Sequence, residues 1–129
     1  INPDSGKLKY ENPNVMVVIG DANEDPTEQE ILEQCQSFEI IIDDGSHKSS
    51  DIISSFNRYF PYLENNGVYV AEDLHCSYWN EFGGGLFDPF SSMAFFKHLA
   101  DIIENNSFHR VHEFDVCDSQ SLARAESPW

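Results

Sequence analysis

Apolar positions along this chain follow two rhythms. Val15-Met16-Val17-Val18-Ile19, Ile40-Ile41-Ile42 and Val68-Tyr69-Val70-Ala71 are continuous and mostly β-branched. Runs of that kind predict buried strands, here over residues 15–20, 38–42 and 67–71. Between them the spacing changes to that of a helix. Ile52, Ile53, Phe56, Phe60 and Leu63 fall on one face of a helix predicted over 49–63. Asp25-Pro26 starts another, with Asp as N-cap, Pro at the first helical position, and a stripe of Ile31, Leu32 and Cys35. A third spans 91–105, faced by Phe95, Phe96, Leu99, Ile102 and Ile103. Glu64-Asn65-Asn66-Gly67 reads as a turn, with Gly67 suited to a positive φ. Residues 74–90 form a long loop carrying Gly83-Gly84-Gly85 and several aromatic side chains, a length that is usually functional or mobile. A last strand over 108–116 and a disordered tail over 118–129 complete the expected single domain, 1–129.

Strand alternating with helix predicts an α/β fold with a parallel sheet. Successive parallel strands bring their carboxyl ends to one edge, where ligands of such sheets bind. All three apolar runs stop at acid: Asp21, the Asp43-Asp44 pair and the Glu72-Asp73 pair. That edge repels itself unless a cation, a donor-rich ligand or bound protons neutralise it.

Charge narrows the partners. Asp plus Glu number 23 against 7 Lys plus Arg, a formal net charge of -16. Nucleic-acid binding needs clustered cations against phosphate, and an anionic membrane surface asks for the same sign, so both are excluded as main partners. Most of the acid is a solvated surface. Cys35, Cys76 and Cys117 are odd in number and widely spaced, without C-x-x-C, which fits free thiols in a reducing cytoplasm. No run approaches a membrane span, and the start at Ile1-Asn2-Pro3 without Met suggests a piece of a longer protein.

Asp44, Glu72 and Asp73 are oxygen ligands suited to Mg²⁺ or Ca²⁺. His47 follows Asp44 by three residues in a Gly-Ser turn, within reach of a hydroxyl held at the edge. Imidazole titrates near neutrality, which suits a general base. Blander roles exist for each residue taken alone. Asp43 can cap the next helix, Glu72-Asp73 can be a solvated loop entrance, and His47 can be one of five ordinary histidines. Their convergence at one edge is what favours a site. No dinucleotide glycine fingerprint, P-loop or hydrolase elbow occurs.

Ile41-Ile42-Asp43-Asp44-Gly45-Ser46-His47, followed by Gly67-Val68-Tyr69-Val70-Ala71-Glu72-Asp73-Leu74-His75-Cys76-Ser77-Tyr78-Trp79 and the Phe82-Gly83-Gly84-Gly85 loop, resembles the metal-dependent sugar O-methyltransferases of macrolide biosynthesis. Macrocin and mycinamicin methyltransferases typify that family, and cephalosporin hydroxylase-like proteins are relatives. The resemblance covers roughly residues 1–105. It implies a Rossmann-like methyltransferase fold, S-adenosylmethionine and Mg²⁺ as cofactors, and a sugar or similar small-molecule hydroxyl as acceptor. It also implies a homo-oligomer. Carried over, Asp44, Glu72 and Asp73 match the metal ligands and His47 the general base. Gly20, Asp21, Ala22 and Asp43 fall on the cofactor side. The family's first strand and glycine-rich turn have no counterpart here, which implies a fragment that binds S-adenosylmethionine weakly. Two rivals stand beside this reading. A metal-dependent hydrolase or phosphoryl-transfer domain would want cations at the edge, where Lys48 is the only basic residue beside an acidic pair. A non-catalytic binding module would lack the first strand altogether.

Overall fold

A computed structural model describes residues 13–108. The chain divides into two compact units, residues 1–98 and 99–129. The first holds all the elements below except the end of the last helix. Of the second, residues 99–108 are described and continue that helix. The expected strand over 108–116 and the tail beyond it lie outside the described residues.

The element order is α1 (Asp25–Gln34), β1 (Phe38–Asp43), α2 (Ser49–Tyr59), β2 (Leu63–Ala71) and α3 (Ser92–Phe108). β1 and β2 pair in parallel, with Ile40 beside Val68, Ile42 beside Val70 and Asp43 beside Ala71. The parallel strand–helix–strand unit therefore stands where the apolar runs predict it. It makes the fold partial Rossmann-like α/β. Among the described residues no helix is long and apolar enough to cross a membrane.

The expected strand over 15–20 is a correction: residues 15–19 form no ladder, and the described sheet has two strands. A strand is defined by a hydrogen-bonded neighbour, which apolar sequence alone cannot supply. Met16 and Val18 instead line a cavity of about 350 Å³ with Ile31, Cys35 and Phe38, while Ile19 stays 62% exposed. The start of α1 also differs by one position. Glu24 is the N-cap, without a side-chain cap bond, and Pro26 sits inside the first turn.

α2 stops at Tyr59 rather than at 63, because Pro61 lacks the N–H needed to extend an α-helix. The chain tightens into a 3₁₀ turn over Phe60–Tyr62. The expected turn at 64–67 becomes a bulge within β2. Between the Phe38–Leu63 and Ile40–Val68 pairs, β2 takes five steps where β1 takes two. Asn66, not Gly67, adopts the positive φ, at 69°. Gly67 is needed for closeness instead: a Cβ there would lie 2.8 Å from Leu63 Cγ and 2.9 Å from the Glu64 carbonyl oxygen.

The packed face of this unit is aromatic. Ile52, Phe56 and Tyr59 of α2 are buried. The Phe56 ring stacks on Phe60 at 4.6 Å and meets Tyr69, Phe95 and Phe96 edge-on at 5.0, 5.6 and 5.4 Å. Each such pair contributes about 0.5–1.5 kcal/mol beyond area burial. Arg58 ties α2 to α1 through Glu28 and through Asp25, the latter at 2.8 Å. On the opposite face Ile40 and Ile42 are 62% and 60% exposed, and Val68 is 52% exposed.

The 74–90 segment is organised rather than open. Two 3₁₀ turns occupy Leu74–Tyr78 and Asn80–Phe82. The Gly84 N–H donates to the Trp79 carbonyl and the Gly85 N–H to the Ser77 carbonyl. Gly84 passes so close to Ser77 that a Cβ would fall 1.9 Å from its carbonyl oxygen. Ser77 is fully buried and hydrogen-bonds Ser92 at the start of α3.

Candidate metal centre at the strand ends

The turn after β1 carries Asp44 to His47. Gly45 leaves room for the Asp43 carboxylate, since a Cβ there would lie 3.2 Å from Asp43 Oδ1. The Ser46 hydroxyl donates to Asp51 in the first turn of α2, and the Lys48 N–H donates to Ser46 Oγ at 3.3 Å. This pins the turn to the helix and leaves His47 at φ 59°. After β2, Asp73 takes φ 52° and starts the 3₁₀ turn. Left-handed backbone costs a non-glycine residue of order 1 kcal/mol, and such strain gathers at functional sites.

Both turns aim at one place. Asp44, His47 and Asp73 each offer a ligand atom, and these atoms all lie within 4.8 Å of one another. His47 Nδ1 is 3.6 Å from Asp73 Oδ2. His75 Nδ1 is 3.6 Å from the other oxygen, Oδ1. The set is mixed carboxylate and imidazole, open to solvent on the Asp44 and Asp73 side. Two hard oxygens with room for water are the donors a divalent ion such as Mg²⁺ takes, so the residues fit that ion. Glu72 is not in this group; it is exposed, and its N–H donates to the Asp43 carbonyl at 2.9 Å.

The cofactor-side residues separate into two places. Ala22 and Asp43 line one cavity of about 250 Å³ with Ile41, Ser55 and Tyr59. The Tyr59 hydroxyl donates to the Ala22 carbonyl at 2.7 Å. The Tyr69 hydroxyl reaches Asp43 Oδ2 at 3.4 Å and shares a hydrogen bond with Ser55. Burial, aided by the Asp43 charge, pushes the Tyr69 phenol up to about 12. Gly20 and Asp21 do not line that cavity. Gly20 packs against Thr27, whose Oγ1 would be 2.2 Å from an added Cβ. Asp21 Oδ1 accepts the Asn23 N–H, closing the turn into α1.

Sequence reasoning assigns no role to Tyr69 or His75. Tyr69 reads as a strand residue, and its partner Asp43 is visible only once β1 and β2 pair. His75 stands two residues after Asp73, a spacing with no motif of its own. Trp79 borders the same place, its ring edge-on to that of His75 with the ring centres 5.2 Å apart. Burial pushes the neighbouring Cys76 thiol pKa up.

No family model matches the chain. Curated relatives do. An 8-demethyl-8-alpha-L-rhamnosyl tetracenomycin-C 2'-O-methyltransferase of Streptomyces olivaceus is 35% identical over 96 residues, covering 74% of this chain and 25% of the relative. Demethylmacrocin O-methyltransferase of Streptomyces fradiae and mycinamicin VI 2''-O-methyltransferase of Micromonospora griseorubida are each 35% identical over 103 residues, 77% of this chain and 26% of theirs. The chain thus spans about a quarter of the length of the curated relatives it matches. Among solved structures, the mycinamycin-pathway methyltransferase MycE in complex with Mg, SAH and mycinamycin VI is 33% identical with a TM-score of 0.64. That match covers 70% of this chain and 24% of the other. A second crystal form of MycE with Mg and SAH gives 0.61 at 31% identity, over 77% of this chain and 25% of the other. Over about three quarters of its length, this chain is thus similar to the macrocin, mycinamicin and tetracenomycin sugar O-methyltransferases.

Proposed function

We propose that this chain carries the metal and base side of an S-adenosylmethionine- and Mg²⁺-dependent O-methyltransferase acting on a hydroxyl of a sugar or similar small natural product. The observation that carries the reading is the convergence of Asp44, His47 and Asp73 at the ends of two parallel strands. The relatives' names, and the Mg, SAH and mycinamycin VI held by MycE, support it.

Asp44 and Asp73 would hold the ion, with Glu72 as the third carboxylate that the strand-end pattern suggests. When bound, the ion lowers the pKa of a hydroxyl presented to it. His47 faces Asp73 with Nδ1, which leaves Nε2 for the acceptor. Nε2 would take the hydroxyl proton, and S-adenosylmethionine, when bound, would supply the methyl group to that oxygen and leave as S-adenosylhomocysteine. Asp73 orients the imidazole and stabilises its protonated form, the part a carboxylate plays behind a histidine base. Ala22 and Asp43, on one cavity wall, with Gly20 and Asp21 beside them, form the cofactor side. The phosphoryl-transfer rival loses ground because Arg58 is tied up by Asp25 and Glu28. The same reading makes the protein a cytoplasmic homo-oligomer, and the free thiols of Cys35 and Cys76 suit that compartment.

Methyl transfer from labelled S-adenosylmethionine to a deoxysugar-bearing macrolide, in the full-length protein, tests the reading together with Mg²⁺ affinity. His47→Ala should lower turnover by roughly 10² to 10⁴ and leave Mg²⁺ affinity near normal. Asp44→Asn should lose both. Turnover within a few-fold of the parent in His47→Ala would remove the base assignment, and loss of Mg²⁺ affinity in that variant would make His47 a ligand.

A further inference from the structure

Asp73 is exposed at the end of β2, and its side chain caps no backbone N–H of the 3₁₀ turn it begins. A half-exposed carboxylate so placed is free to turn about its own bonds. What faces it are two imidazoles, one on each oxygen: His47 on Oδ2 and His75 on Oδ1, both at 3.6 Å. His47 belongs to the group that converges with Asp44. His75 does not, and it has no part in the reaction described above.

The His75 ring is itself held. Its far nitrogen, Nε2, stands 3.8 Å from the Cys76 thiol, and the Trp79 ring meets it edge-on at 5.2 Å. Cys76 is buried and anchors the turn. Nδ1 therefore points at Asp73 while the other edge rests on fixed groups. At 3.6 Å the ring steers the carboxylate through its N–H dipole and bulk rather than through a direct hydrogen bond.

The geometry points to His75 as a positioning residue for Asp73, which keeps that carboxylate turned toward Asp44 so that the two can share one divalent ion beside His47. This rests on the metal reading of the site given above. Outer groups that orient a ligating carboxylate change metal affinity by about 10- to 100-fold when removed. Trp79 then acts one step further out, by restraining His75.

Mn²⁺ is the probe, titrated into the 129-residue chain and followed by the electron-spin resonance of the free ion. His75→Ala should weaken Mn²⁺ binding about tenfold, with an unchanged melt in the absence of metal because His75 is 60% exposed. His75→Asn places an amide nitrogen where Nδ1 stands and should restore most of the affinity. His75→Gln places it toward Cys76 and should not. Parent-like binding by His75→Ala overturns the inference, as does rescue by Gln and not Asn, or by neither. Asp44→Asn and Asp73→Asn separate the two levels. Loss of binding in both, with His75→Ala unchanged, removes His75 alone. Parent-like binding in both removes the metal site and the positioning role with it.

Discussion

The two faces of the β1–β2 pair have the same kind of residues and opposite surroundings. On one face Tyr69 lies under α2, against Phe56 and Ser55. On the other, Ile40, Ile42, Val68 and Val70 stand 62%, 60%, 52% and 36% exposed. Parallel strands are ordinarily covered on both faces, which is why they read as continuous apolar runs. The sequence pattern is thus written for two covered faces, while the described residues cover one. Stability in this unit therefore comes from the α2 side, and the edge that holds Asp44 and Asp73 is only as firm as that side. Mutations on the two faces should differ accordingly.

The largest effect is expected at Phe56, where four rings meet. Phe56→Ala should cost about 3–5 kcal/mol in chemical denaturation, as large cavities in aromatic cores do. A loss below about 1 kcal/mol would mean that the α2 face is not the core. Tyr69→Phe should act more gently and depend on pH. Below pH 10 it should cost about 1 kcal/mol, the worth of its bonds to Ser55 and Asp43. The folded phenol lies at about 12 against an ordinary 10.0, so the unfolded chain releases that proton first. The parent therefore loses this contribution as pH rises from 10.0 toward 12, and the gap to the variant should close across that window. Denaturation curves at several pH values check this, and a constant gap would speak against the shifted phenol. The smallest change should come from the bare face. Ile42→Thr should alter stability by no more than about 0.5 kcal/mol, as exposed substitutions do. A loss above about 2 kcal/mol there would show that this face is covered in solution.

Much of this was legible in the residues. Ile40-Ile41-Ile42, the spacing of Ile52 and Phe56, and Val68-Tyr69-Val70 suffice for a parallel strand–helix–strand unit. Their common edge then follows, and with it the meeting of Asp44 with Asp73. Val15 to Ile19 has the same composition and forms no ladder. Propensity says how a segment would pair, and a partner strand decides whether it does. The turn signal at 64–67 marks a real irregularity, yet its outcome as a bulge depends on a register that two strands set together. At the site, β2 ends at Ala71 and Asp73 takes left-handed backbone, a local geometry that the Glu72-Asp73 pair does not announce in sequence. The left-handed backbones at His47 and Asp73 left no mark, because neither residue type announces a positive φ as glycine does.

Arg58 has a meaning that goes beyond joining two helices. It is a lone cation between Asp25 and Glu28 in a chain of formal net charge -16. Dissolved salt acts on these two features in opposite ways. Counterions screen the mutual repulsion of the acidic surface, which operates over distances near or above the roughly 8–10 Å screening length of ordinary buffers. They weaken the Arg58–Glu28 contact far less, because those partners touch and Glu28 is 19% exposed. The fold should thus tolerate brine better than pure water. Dilution, which strengthens an isolated ion pair, is here the harsher solvent.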